Sequence, residues 1–250
     1  HLQMIGEWSV GAALFHLGAL EAGHQHLEKG MTLYDPAFHG ARVWQTGIEP
    51  GIFCRCELSR TTTLRGFPDS GLAMVREAVA AAGALDHPQP RAFALLFEMF
   101  VHLARRAPRE VQRAYEQLAV VCHAHGIAQE LYWAAPLVGR AFIELGDLPR
   151  GLRVLEEGLA AHTSMRSALI RPYYLVLLAG AQLRARLLDR AQASLDESAR
   201  VADATGQHSY DAEHARLQAE AGGARRAGDE AEGKYRGALN IARGQGARWR

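Results

Sequence analysis

The feature that most constrains the fold of this chain is a period of 40 residues. Phe53, Phe93, Trp133 and Tyr173 are aromatic residues at this interval, and the residues around them recur in the same register. A fixed period of this length is typical of stacked repeat proteins, in which each unit buries its apolar face against its neighbours. Because stacked helical repeats usually bind other molecules rather than catalyse reactions, the period favours a binding function.

The composition is that of a soluble globular protein. The 250 residues are 48% hydrophobic and 22% charged, with a formal net charge of +1, so nothing draws the chain generally to nucleic acid or to an anionic membrane. No stretch reaches the roughly 18 apolar residues of a membrane-spanning helix. Cys54, Cys56 and Cys122 are too few for a disulfide framework. We predict a cytoplasmic protein without direct nucleic-acid or membrane partners.

Turn signals repeat with the same period as the aromatic residues. Turns between paired helices are predicted at Gly18, Gly66, Arg106, Gly146, Arg186 and Arg226. Five residues after each turn, where two helices must approach closely, stand Gly23, Gly71, Val111, Gly151, Ala191 and Ala231. Nine residues after each turn stand Leu27, Val75, Tyr115, Leu155, Leu195 and Tyr235. Spacings of four keep the apolar positions on one helical face.

The register therefore predicts an all-α chain of six helix hairpins. Their approximate bounds are 4–33, 52–83, 91–125, 131–163, 172–205 and 211–245. In the sixth hairpin the turn can be placed at Arg226 or at Gly228-Asp229. We predict a single solenoid domain over residues 1–250, and a helical pattern that starts almost at His1 suggests a piece of a longer protein.

This pattern resembles the tetratricopeptide repeat (TPR), whose signature matches turns such as Gly146-Asp-Leu-Pro-Arg-Gly151. The resemblance covers nearly the whole chain and implies a right-handed superhelical stack. Two features depart from the family pattern. The unit is longer than the usual roughly 34 residues, and the third hairpin has Met99 and Val111 where small residues are expected.

A second resemblance concerns the place where the register breaks, from Tyr34 to Gly51. Tyr34-Asp35-Pro36, Gly47-Ile48-Glu49-Pro50-Gly51 and the later Arg171-Pro172-Tyr173-Tyr174 are similar to the repeat region that follows the ATPase module of large bacterial regulators. Those regulators carry a cyclase-like or helix-turn-helix domain elsewhere. The resemblance implies a sensor region, with an attached ATPase or cyclase-like domain as a partner, and it makes the segment between the first two hairpins a candidate functional loop.

The first helix of each hairpin should line the concave face of such a stack. Candidate ligand- or peptide-binding residues on that face are Trp8, Phe53, Arg60, Phe93, Phe100, Trp133, Arg140, Glu144, Tyr173 and Arg184. The aromatic members can equally pack hairpin against hairpin. Arg60 and Arg140 can bind an acidic ligand, or they can pair with Glu98 or Glu144 inside the fold.

Signatures of catalysis and of metal binding are absent from the sequence. There is no phosphate-binding loop, dinucleotide fingerprint or nucleophile elbow. The histidine pairs His24/His26 and His123/His125 are two residues apart, which points their side chains to different sides of a helix. We predict neither an enzyme nor a cofactor.

Three functions remain open from the sequence. The first is a regulatory sensor of a bacterial signalling or transcription regulator, which binds a small-molecule effector or a protein segment. The second is a protein-docking scaffold without small-molecule sensing. The third is self-association as a homodimer through apolar ends such as Leu2, Met4 and Ile5.

Overall fold

The computed structural model describes residues 2–36, 48–85, 87–164, 168–225 and 230–247, and every regular element in these ranges is an α-helix. The helices of the first three hairpins are α1 (Leu2–His16), α2 (Leu20–Thr32), α3 (Pro50–Leu64), α4 (Pro68–Gly83), α5 (Pro88–Ala104) and α6 (Pro108–His125). Those of the last three are α7 (Gln129–Glu144), α8 (Leu148–Ser164), α9 (Arg171–Arg184), α10 (Leu188–Thr205), α11 (Asp211–Arg225) and α12 (Glu230–Gly244). The predicted all-α stack of six hairpins is confirmed.

In the first five hairpins the turn between the two helices contains one residue with positive φ, and the periodic register identified these residues. They are Gly18, Gly66, Arg106, Gly146 and Arg186. At Gly146 the turn N–H donates to the carbonyl of Ile143 at 3.1 Å, and the next N–H donates to Phe142 at 2.9 Å. These bonds satisfy the last carbonyls of the helix. The two alternatives for the sixth turn lie within 226–229, outside the described residues.

The small residues of the register stand where the two helices of a hairpin cross. A Cβ atom on Gly151 would lie 2.6 Å from the carbonyl oxygen of Gly139 and 2.3 Å from the side chain of Ile143. In the third hairpin the larger Met99 and Val111 occupy the equivalent positions, and both are fully buried. This crossing therefore accommodates side chains that the other hairpins exclude.

Successive hairpins pack as two layers. The first helix of each hairpin contacts the first helix of the next, from α1 to α11, while each second helix contacts the first helix that follows it. The predicted apolar ridge fills the space between the layers, since Leu27, Val75, Leu155 and Leu195 have no exposed surface. Tyr235, its member in the sixth hairpin, is 39% exposed. The core is thus formed by neighbour-to-neighbour contacts, as a repeat architecture requires.

The sixth hairpin returns to contact the first, which the repeat register did not predict. The backbone N–H of His208 donates to the carbonyl of His16 at 2.8 Å, and the side-chain amide of Gln245 donates to the carbonyl of His208 at 2.5 Å. Apolar side chains from the first, second and sixth hairpins cluster beside these bonds: Phe15, Leu20, Leu64, Ala212, Ala242 and Ala247. We call this set of contacts the closure.

Part of the predicted loop between the first two hairpins, residues 37–47, lies outside the described residues. Its two ends are joined, because the Tyr34 hydroxyl donates to Glu49 Oε1 at 2.8 Å. The other carboxylate oxygen of Glu49 accepts the N–H of Ile52 at 2.6 Å and so caps α3. None of the described helices is both long and apolar enough to span a bilayer.

Candidate ligand-binding cavity

A row of aromatic rings runs along the first helices of the hairpins. Consecutive rings have centroids 3.8–6.2 Å apart, in the order Trp8, Phe53, Phe93, Phe97, Phe100, Tyr173, Tyr210 and Phe15. The closest pairs are stacked and join neighbouring hairpins: Phe53 with Phe93, and Tyr173 with Tyr210, both at 3.8 Å. Because α1 carries both ends of the row, the row makes a circuit of the stack.

A cavity of about 540 Å³ lies against this row. Its walls come from the first helices and from the residues that lead into them. The lining residues are Trp8, His16, Ile48, Phe53, Glu57, Arg60, His87, Gln89, Phe93, Leu96, Phe97, Phe100, Gln129, Glu130, Trp133, Leu169, Ile170 and Tyr174. A mostly apolar wall with a few polar groups and a volume in this range is the usual composition of a small-molecule site.

Arg60 occupies one region of the cavity wall. Its Nη2 donates to Glu57 Oε2 at 2.5 Å, and both residues are more than nine-tenths buried. The guanidinium carbon lies 3.9 Å from the ring centroid of Phe15, 4.9 Å from that of Phe97 and 5.5 Å from that of Phe100. The charge is therefore held by one carboxylate and by aromatic faces. Arg60 thus connects the cavity to Phe15 in the closure.

His16 connects the same two features through its backbone and its side chain. Its carbonyl accepts the closure hydrogen bond from His208, while its imidazole lines the cavity. Burial, assisted by the nearby positive charge of Arg60, lowers the pKa of His16 to about 3. The ring is consequently neutral at physiological pH, and it adds no positive charge to the wall.

Glu130, in the first turn of α7, occupies a second polar region of the wall. Its Oε1 accepts from Gln89 Nε2, at the start of α5, over 2.6 Å. Only 1% of the residue is exposed, and burial raises the pKa of this carboxyl. Along α5, about 16 Å separates Gln89 from Phe100, which contacts Arg60. The Glu130 region and the Arg60 region therefore lie about three helical turns apart.

Four buried polar atoms of the lining side chains have no hydrogen-bond partner among the described residues. They are Trp8 Nε1, Arg60 Nε, Glu130 Oε2 and Trp133 Nε1. A buried polar group without a partner destabilises a fold by about 1–3 kcal/mol, and native structures contain few of them. All four of these atoms belong to residues that line one cavity.

The candidate residues from the sequence are distributed over three places. Trp8, Phe53, Arg60, Phe93, Phe100 and Trp133 line the cavity. Tyr173 lines a much smaller neighbouring pocket, which also includes His16 and Tyr210. Arg140 and Glu144 form a half-buried ion pair with Nε to Oε1 at 2.9 Å, outside both linings. Arg184 is exposed. The structure thus brings six of the ten candidates together.

Three polar wall residues, Glu57, Gln89 and Glu130, were not predicted from the sequence. Gln89 and Glu130 stand before the first inner-face candidates of their hairpins, Phe93 and Trp133, and Glu57 falls between the candidates Phe53 and Arg60. Glu57 carries a detectable signal, since it stands three residues before Arg60 and so lies beside it on a helix. Its carboxylate, and not that of Glu98 or Glu144, pairs with Arg60. Nothing in the sequence indicates the pairing of Gln89 with Glu130, because it depends on how α5 packs against α7.

No protein-family model matches the chain, and no curated protein sequence matches it. Solved structures do. BtubC from P. vanneervenii has a TM-score of 0.57 at 13% identity and matches 91% of each chain. The Rap protein complexed with competence and sporulation factor has a TM-score of 0.58 at 12% identity, over 96% of this chain and 63% of Rap.

A third similar structure is the signal transduction ATPase with numerous domains from Pyrococcus horikoshii, which is described as having a tetratricopeptide repeat sensor. Its TM-score is 0.50 at 12% identity, over 98% of this chain and 36% of the ATPase chain. At such identities the similarity defines the fold alone. By its fold, this chain is a TPR-like helical repeat protein whose first helices surround an aromatic cavity.

Proposed function

We propose that this chain is a non-catalytic sensor region of a bacterial multidomain signalling or transcription regulator, and that it binds a small organic molecule in the aromatic cavity. The observation that carries the proposal is the set of four buried polar atoms, on Trp8, Arg60, Glu130 and Trp133, that lack partners within the described residues. A bound molecule with matching polar groups would remove this cost, so binding would stabilise the folded protein.

The dimensions of the site favour a small molecule over a folded partner. A volume of about 540 Å³ is within the range of pockets for drug-sized ligands. Aromatic rings of the wall already contact one another, since Phe93 stacks on Phe53 and lies tilted against Phe97. A preformed site of this kind loses little conformational entropy when it binds its ligand.

The closure supplies a route from the cavity to the rest of the molecule. Arg60 lines the cavity and contacts Phe15, and the ring of Phe15 meets Tyr210 of the sixth hairpin edge to face at 6.2 Å. A ligand that moves Arg60 would change the packing at Phe15 and therefore the balance between closed and open stacks. Regulatory use of the same fold in a signalling ATPase with a repeat sensor supports this proposal, including an attached ATPase or cyclase-like domain.

The test is a thermal-shift screen of nucleotides and metabolites, followed by isothermal titration of the compounds that raise the melting temperature. Trp133→Phe keeps an aromatic ring, although a smaller one than indole, and removes the Nε1 donor, so we expect it to weaken binding about fivefold to tenfold. Tyr132→Phe is the matched control, because Tyr132 is the exposed neighbour on the same helix. A folded protein that binds nothing in a broad panel would contradict the proposal.

A protein-docking scaffold is the alternative. Beyond the cavity, α11 carries charged side chains, with Arg216 bound to Glu213 at 2.7 Å and to Glu220 at 3.0 Å. These half-exposed groups could receive a peptide, and Rap is similar in fold and was solved with a signalling factor. Capture of a partner by the wild type but not by Arg140→Glu would favour the scaffold.

Self-association as a homodimer is a separate alternative. It is suggested by the apolar side chain of Leu2, which is 85% exposed, and light scattering at several protein concentrations would detect it.

A further inference from the structure

Glu130 is the one carboxylate in the described lining of the cavity that has no cationic partner. Gln89, a neutral amide, binds its Oε1 at 2.6 Å, while Oε2 has no partner among the described residues. The other charged lining residues, Glu57 and Arg60, neutralise each other over 2.5 Å. The described wall therefore carries a net negative charge whenever Glu130 is ionised.

His16 of the lining does not offset this charge. The imidazole of His16 is neutral at physiological pH, as described above. The Nδ1 atom of His87 accepts the backbone N–H of Gln89 at 3.3 Å and so caps α5. A buried carboxylate without a positive partner is strongly unfavourable in a fold. A cation supplied from outside the chain would remove that penalty.

Aromatic side chains are placed beside this carboxylate by helical spacing. Trp133 is three residues after Glu130 on α7, and Phe93 is four residues after Gln89 on α5, so each lies on the same helical face as its polar neighbour. Both rings line the cavity, and Phe93 is backed by the stacked ring of Phe53. Aromatic faces attract ammonium groups, and sites for organic cations commonly combine such rings with a carboxylate.

We propose that the ligand of the cavity is an organic cation, an amine or quaternary ammonium compound with an apolar body, whose positive group lies against Glu130, Phe93 and Trp133. This inference rests on the proposed function, whose cavity it uses. The apolar body extends along Leu96 and Phe97 towards Arg60. At that end Arg60 Nε is a donor without a partner among the described residues, so a natural ligand carries an acceptor oxygen at its distal end.

The test compares probes that share one apolar body, a phenylbutyl group, and differ in the head group: 4-phenylbutylamine, its trimethylammonium analogue, 4-phenylbutanol and 5-phenylpentanoate. We expect the wild type to bind the two cations about tenfold or more tightly than the alcohol and the carboxylate by isothermal titration. Glu130→Gln should abolish this preference. Glu144→Gln is the matched control, because Glu144 is on the same helix but outside the lining, and it should leave the preference unchanged.

The folding of the Glu130→Gln variant is checked in the same series. Glutamine has the same shape, can keep a hydrogen bond to Gln89 and removes a buried charge, so the empty variant should melt at an equal or higher temperature than the wild type. A folded variant that has lost cation binding supports the proposal. A variant that binds the cations as well as the wild type overturns it.

Failure of this inference is distinguishable from failure of the proposed function. If the alcohol or the carboxylate binds the wild type as tightly as the amines and Trp133→Phe weakens that binding, the cavity is a ligand site for another chemistry. The cation inference then falls and the sensor proposal stands. If neither amine binds at millimolar concentrations, the cation inference falls again, and the metabolite screen with its Trp133→Phe comparison decides the sensor proposal independently.

Discussion

The backbone N–H of His208 donates a hydrogen bond to the carbonyl oxygen of His16 over 2.8 Å, although His16 ends the first helix of the first hairpin and His208 stands directly before the sixth hairpin. In a repeat protein most contacts join neighbours in sequence. This bond and the apolar cluster around Phe15 add a long-range contact that the repeat pattern does not require. The same residue, His16, also lines the cavity, so the closure and the cavity share this residue.

Tyr210 is expected to hold the closure together. Its ring stacks on Tyr173 at 3.8 Å and meets Phe15 edge to face at 6.2 Å. Tyr210→Ala removes both contacts, and we expect it to destabilise the protein by about 2–4 kcal/mol and to increase the hydrogen exchange of the His208 amide. Tyr210→Phe keeps the ring and should behave like the wild type. Unchanged protection of His208 in Tyr210→Ala would show that the closure does not depend on this ring.

The two helices of the fourth hairpin cross at Gly139 and Gly151, so a methyl group added at Gly151 should destabilise the fold. In Gly151→Ala the new Cβ would collide with the Gly139 carbonyl and with Ile143, so we expect a loss of about 2–3 kcal/mol in the free energy of unfolding. Gly6→Ala is the control, since Gly6 is an exposed residue inside α1 with nothing within 4 Å of its Cβ direction. There alanine should stabilise the helix by about 0.5–1 kcal/mol. Urea denaturation of both variants checks the sign of each effect.

The turn positions were predictable because each turn is a local event that repeats. Gly18, Gly66 and Gly146 are conformationally suited to positive φ, and the register placed Arg106 and Arg186 at the same point although arginine gives no such signal. The adoption of positive φ by an arginine costs about 1 kcal/mol, which packing on both sides of the turn must outweigh. The period was therefore more informative than the identity of the turn residue.

The closure and half of the site were not predictable for the opposite reason. Whether hairpin six reaches hairpin one depends on small rotations between successive hairpins, and these accumulate along the stack. Glu130 and Gln89 meet because α5 and α7 approach closely at their N-terminal ends, a distance that no residue pattern within either helix encodes. The aromatic candidates were found because they share the repeat register. Arg140 and Arg184 share that register too, yet they lie outside the cavity.

The Glu57–Arg60 pair should show strong coupling in a double-mutant cycle. Both side chains are buried, so Glu57→Leu or Arg60→Met alone leaves an unpaired charge. Each single substitution should lower the free energy of unfolding by about 3–5 kcal/mol. The double variant should lose at least about 2 kcal/mol less than the sum of the two. Glu110 and Arg113 provide a control pair with the same spacing, a 2.8 Å contact and exposed side chains, whose coupling should be below about 0.5 kcal/mol. Equal coupling in the two pairs would contradict the buried position of Arg60.

The lowered pKa of His16 predicts how stability depends on pH. Burial and the charge of Arg60 lower this pKa to about 3, while the pKa of the same imidazole in the unfolded chain is about 6.5. Between these values the unfolded state binds a proton that the native state does not, so acidification below about pH 6.5 favours unfolding. From pH 7 to pH 5 the contribution of His16 amounts to roughly 1–2 kcal/mol. His162 adds to the trend, since burial lowers its pKa as well.

Urea titrations at pH 7 and pH 5 isolate the part that belongs to His16. The neutral side chain in His16→Gln cannot take up a proton, so we expect the stability of that variant to fall less between the two pH values than that of the wild type, by about 1–2 kcal/mol. Contributions from carboxylates and from His162 are present in both proteins and cancel in the comparison. His125→Gln, at an exposed position, should retain the full wild-type dependence. If His16→Gln also retains it, the imidazole of His16 is solvated and the cavity wall beside Arg60 is open to water.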